Sequence, residues 1–251
     1  MQNGELVLNV DQVRMGNVAH VPDLRDKEMV DGLHLEFPKA SHQAMETLFN
    51  MPMPAWKRAM DIAFSLVGIV VFAVPMLAIA LLIKLTSRGP VFFTQDRAGF
   101  GGDPFPLYKF RTMVVDAEER KAALLAENVR KGPAFKMKND PRVTSLGRLL
   151  RKTSLDELPQ FFNVLKGEMS LVGPRPLPIN EERKIDRWHR ARRTVKPGIT
   201  CVWQVTSRDE SCFDAWMRLD MQYIRNLSFW QDVKLLLMTL PAVLIRRGAI
   251  E

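Results

Sequence analysis

Hydrophobic and polar positions divide the chain unevenly. Residues 62–83 read IAFSLVGIVVFAVPMLAIALLI and carry no charge. A helix of roughly 20 apolar residues matches the thickness of a bilayer core, so this stretch predicts a membrane helix. Further on, VFFTQ (91–95) and FPLYKF (105–110) are short apolar-aromatic runs bounded by Gly and Pro. They predict two short strands joined by a hairpin turn at Gly99-Phe100-Gly101-Gly102. Residues 114–130, rich in Ala, Glu, Leu, Lys and Arg, predict a surface helix. Helical stretches follow over 146–152 and 156–165. A charged helix over 181–193 is ended by Pro197-Gly198. The stretch DVKLLLMTLPAVLIRR (232–247) is apolar with basic ends and a proline inside. It predicts an amphipathic helix lying at a membrane interface, with a core helix of the folded domain as the alternative. Residues 1–50 lack sustained periodicity and predict an irregular extension. The expected fold is mainly α with short β-strands (α+β). Its parts are an extension over 1–54, a membrane helix over 55–88 and a domain over 89–251.

The flanks of the apolar segment change the picture. Lys57 and Arg58 precede it, and Lys84 and Arg88 follow it. Basic flanks stay on the cytoplasmic side, yet here both ends are basic. A helix that enters and returns to one face removes the conflict. Pro75 lies past the middle and is the candidate break, because proline removes a backbone donor and clashes with the carbonyl four residues earlier. The alternative is a straight span with a proline kink. Asp61 sits inside the first flank and needs a partner; Arg58, three residues back on the same helical face, is the expected one. Trp56 fits an interfacial anchor.

Composition narrows the function classes only moderately. The chain has 251 residues, 47% of them hydrophobic, with a formal charge of +8 and a pI near 9.7. That charge suits nucleic acid, an anionic membrane or phosphorylated substrates. A nucleic-acid module would show basic stripes interleaved with aromatics in a known motif. Only the Arg-rich run 183–193 approaches this, so no nucleic-acid partner is expected. Cys201 and Cys212 have no second pair and no histidine cluster, which argues against zinc and against a disulfide framework. The N-terminus has no apolar core of an export signal.

The chemistry concentrates in Arg151-Lys152-Thr153-Ser154-Leu155-Asp156-Glu157-Leu158-Pro159-Gln160. Ser154 with Glu157 three residues later matches a capping box, which places both acids at a helix N-terminus. There the helix dipole favours anions and would keep Asp156 ionised, able to attack phosphorus or bind a metal. Two ordinary capping acids are the structural alternative. Gly173-Pro174-Arg175-Pro176 is either a plain rigid turn or a holder of Arg175 for a phosphate or nucleobase.

The motifs run in an order that resembles a known family. They are Lys57-Arg58-x-x-Asp61, the apolar segment with Pro75, Gly89-Pro90-Val91-Phe92-Phe93-x-Gln95-x-Arg97-x-Gly99 and Tyr108-Lys109-Phe110-Arg111-Thr112-Met113. Asp140-Pro141-Arg142-Val143-Thr144, the 151–160 block, Asn163 to Ser170 and Leu171-Val172-Gly173-Pro174-Arg175-Pro176 follow. Lys196-Pro197-Gly198-Ile199-Thr200, Trp203-Gln204-Val205 and the regions 220–223 and 228–232 complete the series. From about residue 56 onward the chain resembles the monotopic phosphoglycosyl transferases, bacterial enzymes that start exopolysaccharide, O-antigen and glycoprotein glycan assembly. The resemblance implies a re-entrant membrane helix, a small cytoplasmic catalytic domain with interfacial helices, and a place in the bacterial cytoplasmic (inner) membrane. It implies Mg2+ dependence and a ping-pong reaction. Asp156 would attack the sugar-linked phosphate of a UDP-sugar, release UMP and pass the phosphosugar to undecaprenyl phosphate. Glu157 would be its dyad partner. Asp156 would also meet the metal. Arg151, Arg175, Lys109, Arg111 and Thr112 would bind substrate. Pro75, with Arg58 and Asp61, would form the membrane break. Membrane lipid is a further partner, and a homodimer stays open.

The chain departs from the pattern in places. Val74 stands where relatives often carry Ser before the helix-breaking proline. Ile199-Thr200-Cys201 replaces a glycine-rich stretch, and Ser207 replaces a common Gly before Arg208. The resemblance also implies a minimal form without the extra membrane bundle of larger relatives. An inactive scaffold of the same fold would lack the Asp156-Glu157 and Arg151 that this chain retains.

Overall fold

The structure, a computed structural model, describes residues 52–121, 123–124, 137, 139–206 and 212–244. The expected extension over 1–50, and residues 122 and 125–130 of the helix expected over 114–130, lie outside the described residues.

Helix α1 spans Ala55–Thr86 and runs on through Pro75 without interruption. The expected break is therefore a proline inside one helix rather than a loop between two. The helix buries Lys57, Met60, Asp61, Ser65, Gly68, Ile79 and Ile83. These positions fall on one side of the helix, in two groups set eleven positions apart, about three turns, and form one stripe. The opposite face is apolar and bare: Val70, Val74 and Leu77 are each more than 70% exposed. Only 11% of the most apolar window is buried in the protein. A core helix of a soluble domain would be covered, whereas this helix is long and apolar enough to cross a membrane and leaves its apolar face bare among the described residues.

Both ends of α1 pack on the same domain. At the N-terminal end, Phe161 lies where a Gly68 side chain would be, its Cζ 2.9 Å from an ideal Cβ. At the C-terminal end, Ile79 and Ile83 join Phe110 and Leu150, with Leu155 and Leu158 packed alongside. The expected Arg58–Asp61 pair does not form. Arg58 instead donates to the carbonyls of Val164 and Leu165, at 2.6 and 2.7 Å. There it caps the C-terminus of a later helix, where free carbonyls and the dipole favour a cation. Asp61 is fully buried and accepts from Ser170 Oγ at 3.0 Å and the Leu171 N–H at 2.9 Å. Lys57, also buried, donates to the Val172 carbonyl, the Tyr223 hydroxyl and Asp232.

The rest is an α+β domain of short elements. Strands β1 (Phe92–Ala98) and β2 (Pro104–Phe110) form an antiparallel hairpin in which Phe92 pairs with Phe110 and Ala98 with Pro104. Gly101 and Gly102 take positive φ at its turn, as the Gly-rich tip requires. Helices α2 (Ala117–Lys121) and α3 (Ser145–Lys152) follow, then a 3-10 turn at Leu155–Glu157 and helix α4 (Gln160–Lys166). Strands β3 (Ser170–Val172) and β4 (Gly198–Thr200) pair in parallel. Between them lie α5 (Ile179–Glu182) and a 3-10 segment, Trp188–Thr194. The single charged helix expected over 181–193 is thus two short pieces. Helices α6 (Val202–Thr206), α7 (Phe213–Arg225) and α8 (Phe229–Leu244) close the described chain.

One core, including Phe105, Leu107, Val164, Leu171 and Tyr223, joins the hairpin to α4, β3 and α7. A second, around Trp203, Phe213 and Trp216, joins α6 to α7. Helix α8 has a mixed face. Leu235 and Asp232 are buried, while Trp230, Leu237 and Leu240 are exposed. Trp56 meets Phe229 edge-on at 5.7 Å, which places the two aromatic sets side by side.

Candidate active site

A cavity of about 620 Å³ opens between the hairpin, α3, the Leu155–Glu157 turn and the loop after β3. Nine Lys or Arg side chains line it against five carboxylates. That surplus marks a place built for an anion. Asp156, Glu157, Arg151, Arg175, Lys109, Arg111 and Thr112 all line it. The sequence placed them along 67 residues, and the fold brings all seven together. Pro75, Arg58 and Asp61 do not line the cavity; they belong to the contacts of α1.

Each element has a local reason for its place. The Thr112 carbonyl accepts from the Thr144 N–H at 3.0 Å, and the Thr144 hydroxyl caps α3 by accepting from the Gly147 N–H at 2.9 Å. Gly147 makes that docking feasible, since a Cβ there would stand 2.0 Å from the Thr112 oxygen. One turn further along α3, Arg151 Nε donates to Thr112 Oγ1 at 2.9 Å. Thr112 therefore fixes both the helix and its arginine. On the other wall, Gly198 and Gly173 let β3 and β4 approach closely, with a Cβ on Gly198 falling 2.1 Å from Gly173 N. The Gly198 N–H then donates to the Pro174 carbonyl at 2.9 Å and sets the loop that carries Arg175.

The capping box is not formed. Ser154 adopts a left-handed conformation, φ 56°, and makes no side-chain cap. Such a residue costs about 1–3 kcal/mol and turns the chain out of the axis of α3. The two acids lie on a single 3-10 turn, too short for the expected dipole stabilisation. Side chains from elsewhere replace it. Glu157 Oε1 accepts from Lys109 Nζ at 2.8 Å and from Arg175 Nη2 at 2.6 Å. Burial alone would raise the Glu157 carboxyl, but Arg175 and Lys109 outweigh it and hold the group well below the usual carboxylate range.

Asp156 meets a different field. It is buried, accepts no hydrogen bond among the described residues, and stands 4.0 Å from Lys109 Nζ. Burial raises its carboxyl, with Lys109 pulling the other way and the Glu157 charge adding to the rise. Its oxygens are thus free for an incoming electrophile or cation. Among the described residues no group of three or more His, Cys, Asp or Glu could cage a metal alone. The Asp156 carboxylate is the group here that could donate to Mg2+, an ion that takes one or two carboxylates and completes its shell with water and substrate phosphates.

Residues outside the expected set complete the walls. Arg97 donates to the Pro176 carbonyl at 2.9 Å, and Arg192 donates to the Arg175 carbonyl while pairing with Asp220 at 2.9 Å. Two guanidinium groups, Arg192 buried and Arg97 half-buried, thereby hold the Arg175-Pro176 backbone. Burial and the neighbouring Arg175 push Arg97 down to about 10. Arg97 Nε, Arg111 Nη1 and Arg192 Nη1 are buried with no partner among the described residues. Spare donors in a cationic cavity mark room for acceptor oxygens from a ligand. The signals for Arg97 and for Trp203 and Gln204, which also line the cavity, were the Gln95-x-Arg97 and Trp203-Gln204 motifs. Arg192 gave none beyond its charge.

Comparison with known proteins places these features in a context. The profile described as "Bacterial sugar transferase" matches residues 53–246. The galactosyl transferase CpsE of Streptococcus agalactiae is 44% identical over 194 residues, covering 77% of this chain and 43% of that protein. The undecaprenyl-phosphate galactose phosphotransferase of Salmonella typhimurium is 43% identical over 202 residues, covering 77% and 41%. The exopolysaccharide production protein ExoY of Rhizobium meliloti is 37% identical over 201 residues, covering 77% and 87%. The chain thus spans about two-fifths of the length of the first two relatives and most of the third.

Proposed function

The chain belongs to the bacterial sugar transferase family, and on that premise we propose that it transfers a sugar 1-phosphate from a UDP-sugar to undecaprenyl phosphate. The product begins an exopolysaccharide or related glycan, as the names of the relatives suggest. The observation that carries this reading is the Asp156 carboxylate, buried and free of hydrogen bonds among the described residues, in a cavity whose charged lining is mainly Lys and Arg.

The mechanism follows from what each residue can do there. The Asp156 carboxylate attacks the phosphorus that bears the sugar, and the P–O bond to UMP breaks with its electron pair leaving on UMP. In the second step an oxygen of the acceptor phosphate attacks the same phosphorus, the bond to Asp156 breaks and the carboxylate returns. Glu157 is too firmly paired with Lys109 and Arg175 to compete as the nucleophile. It holds those two cations beside the reacting phosphate. Arg151, locked to Thr112, and Arg175, held by its backbone, present fixed positive charge to the diphosphate. Mg2+, held by Asp156 together with donor phosphates, would screen the repulsion between carboxylate and diphosphate.

The topology fits a helix that enters and leaves on one side. Both ends of α1 pack on the domain that bears the cavity, and both carry basic flanks. A straight span would carry one of those ends away from the domain. The domain and its site then face the cytoplasm from the inner membrane, with the exposed face of α8 at the interface.

Purified chain in lipid nanodiscs with magnesium and added undecaprenyl phosphate should release UMP from at least one member of a UDP-sugar panel and yield a polyprenyl diphosphosugar. No product across the panel would overturn the assignment.

A further inference from the structure

The cavity has an end that the donor chemistry does not explain. Arg111 lines it, just past β2, and is only 7% exposed. Its Nη2 donates to the Ser87 carbonyl at 3.0 Å and to Ser87 Oγ at 2.6 Å. Ser87 is the residue that ends α1. Arg111 is therefore tied to the point where the apolar helix stops. Its Nη1 is buried without a partner among the described residues, lying where a Gly89 side chain would be and beside Val115. The walls next to it are apolar yet open. Phe92, Phe93 and Val115 line the cavity at 50%, 38% and 71% exposure, and Leu85, on the last turn of α1, is 74% exposed.

A spare guanidinium donor and a bare apolar rim at the end of a membrane helix call for one kind of molecule: a lipid with an anionic phosphate head. We propose that this end of the cavity, Arg111 with Phe92, Phe93 and Val115, is the subsite for the lipid acceptor. This rests on the proposed transfer reaction and specifies where its second substrate enters. Arg111 takes the phosphate head through its free Nη1. The first isoprene units lie over Phe92, Phe93 and Val115, and the tail continues along the exposed face of α1. In-line displacement supports the division. The acceptor oxygen must approach phosphorus from the side that UMP left, so both substrates meet at Asp156, and only their distal parts need separate room. The acceptor is a phosphomonoester with a branched apolar chain, and the Arg111 end offers an apolar wall for that chain.

The test measures steady-state kinetics of the full chain in nanodiscs, with polyprenyl monophosphate and the UDP-sugar that wild type uses. Arg111→Lys should raise the acceptor KM by at least about tenfold, the loss expected for a charged hydrogen bond, and the donor KM by no more than about twofold. Val115→Ser, at an exposed position that does not hold the fold, should raise the acceptor KM for a long-chain lipid more than for a short-chain one. Acceptor KM values that match wild type in both variants, or donor KM values that rise in parallel, overturn the subsite. A wild type that transfers to no acceptor overturns the underlying reaction, and the subsite with it.

Discussion

At the scale of the residue, Asp156 and Glu157 are neighbours in sequence with opposite surroundings. Glu157 is saturated by Lys109 and Arg175, while Asp156 is buried with a single cation at 4.0 Å. The pair thus divides into a fixed charge and a free one. Burial raises Asp156, and Lys109 is the largest influence opposing that rise. The sign of a pH effect follows. The ionised form attacks, so activity falls as pH drops through the raised value. Lys109→Met removes the opposing charge and raises Asp156 further. The acid limb of kcat/KM should therefore move to higher pH in this variant, as a pH–rate profile would record. A limb that stays in place would mean that Asp156 is not the group titrating.

At the scale of the element, positions near the site depend on close backbone approach. Gly147 is the clearest case, because a Cβ would meet the Thr112 carbonyl at 2.0 Å. Gly147→Ala should push α3 away from Thr112 and take Arg151 with it. Thermal unfolding should show a loss of about 1–3 kcal/mol, typical of overpacking, and activity should fall further than that loss explains. The local grammar of the chain made several elements legible. The charge-free run gave α1, and the glycines and prolines around two aromatic runs gave the β1–β2 hairpin. Elements that depend on distant partners were not legible. Ser154 and Glu157 have capping-box spacing, but Glu157 is claimed by Lys109, 48 positions away, and by Arg175, 18 positions away. Arg58 has the spacing to pair with Asp61, yet the carbonyls of Val164 and Leu165 take it. The Arg-rich run 183–193 looks like one solvated helix, but Arg192 turns inward to Asp220. Each difference arises where a charged side chain, buried or half-buried, has its partner across the fold rather than along the chain. The seven residues that the resemblance names for catalysis and substrate binding nevertheless line one cavity, because ordered motifs can group distant positions even where local rules mislead.

At the scale of the whole molecule, the site and the membrane helix are one construction. Lys57 and Asp61, at the start of α1, bond to β3, whose following loop carries Arg175. Ser87, at the end of α1, is bonded by Arg111. A helix anchored at both ends to one domain should keep both flanks on one face of the bilayer. Single cysteines placed at positions 55 and 88, in a background without Cys201 and Cys212, should react with an impermeant thiol reagent from the same side of sealed vesicles. Labelling from opposite sides would make α1 an ordinary span.

The claim on which the mechanism turns is that Asp156 carries the sugar phosphate between donor and acceptor. Mass spectrometry of the protein after incubation with its UDP-sugar and magnesium, without lipid acceptor, measures this directly. The intact mass should rise by one phosphosugar, the modification should map to Asp156, and added polyprenyl phosphate should discharge it. Asp156→Asn should show no adduct, and its turnover should fall by about 10⁴-fold or more. Transfer by wild type with no adduct under rapid quench, or turnover retained by Asp156→Asn, would contradict the account.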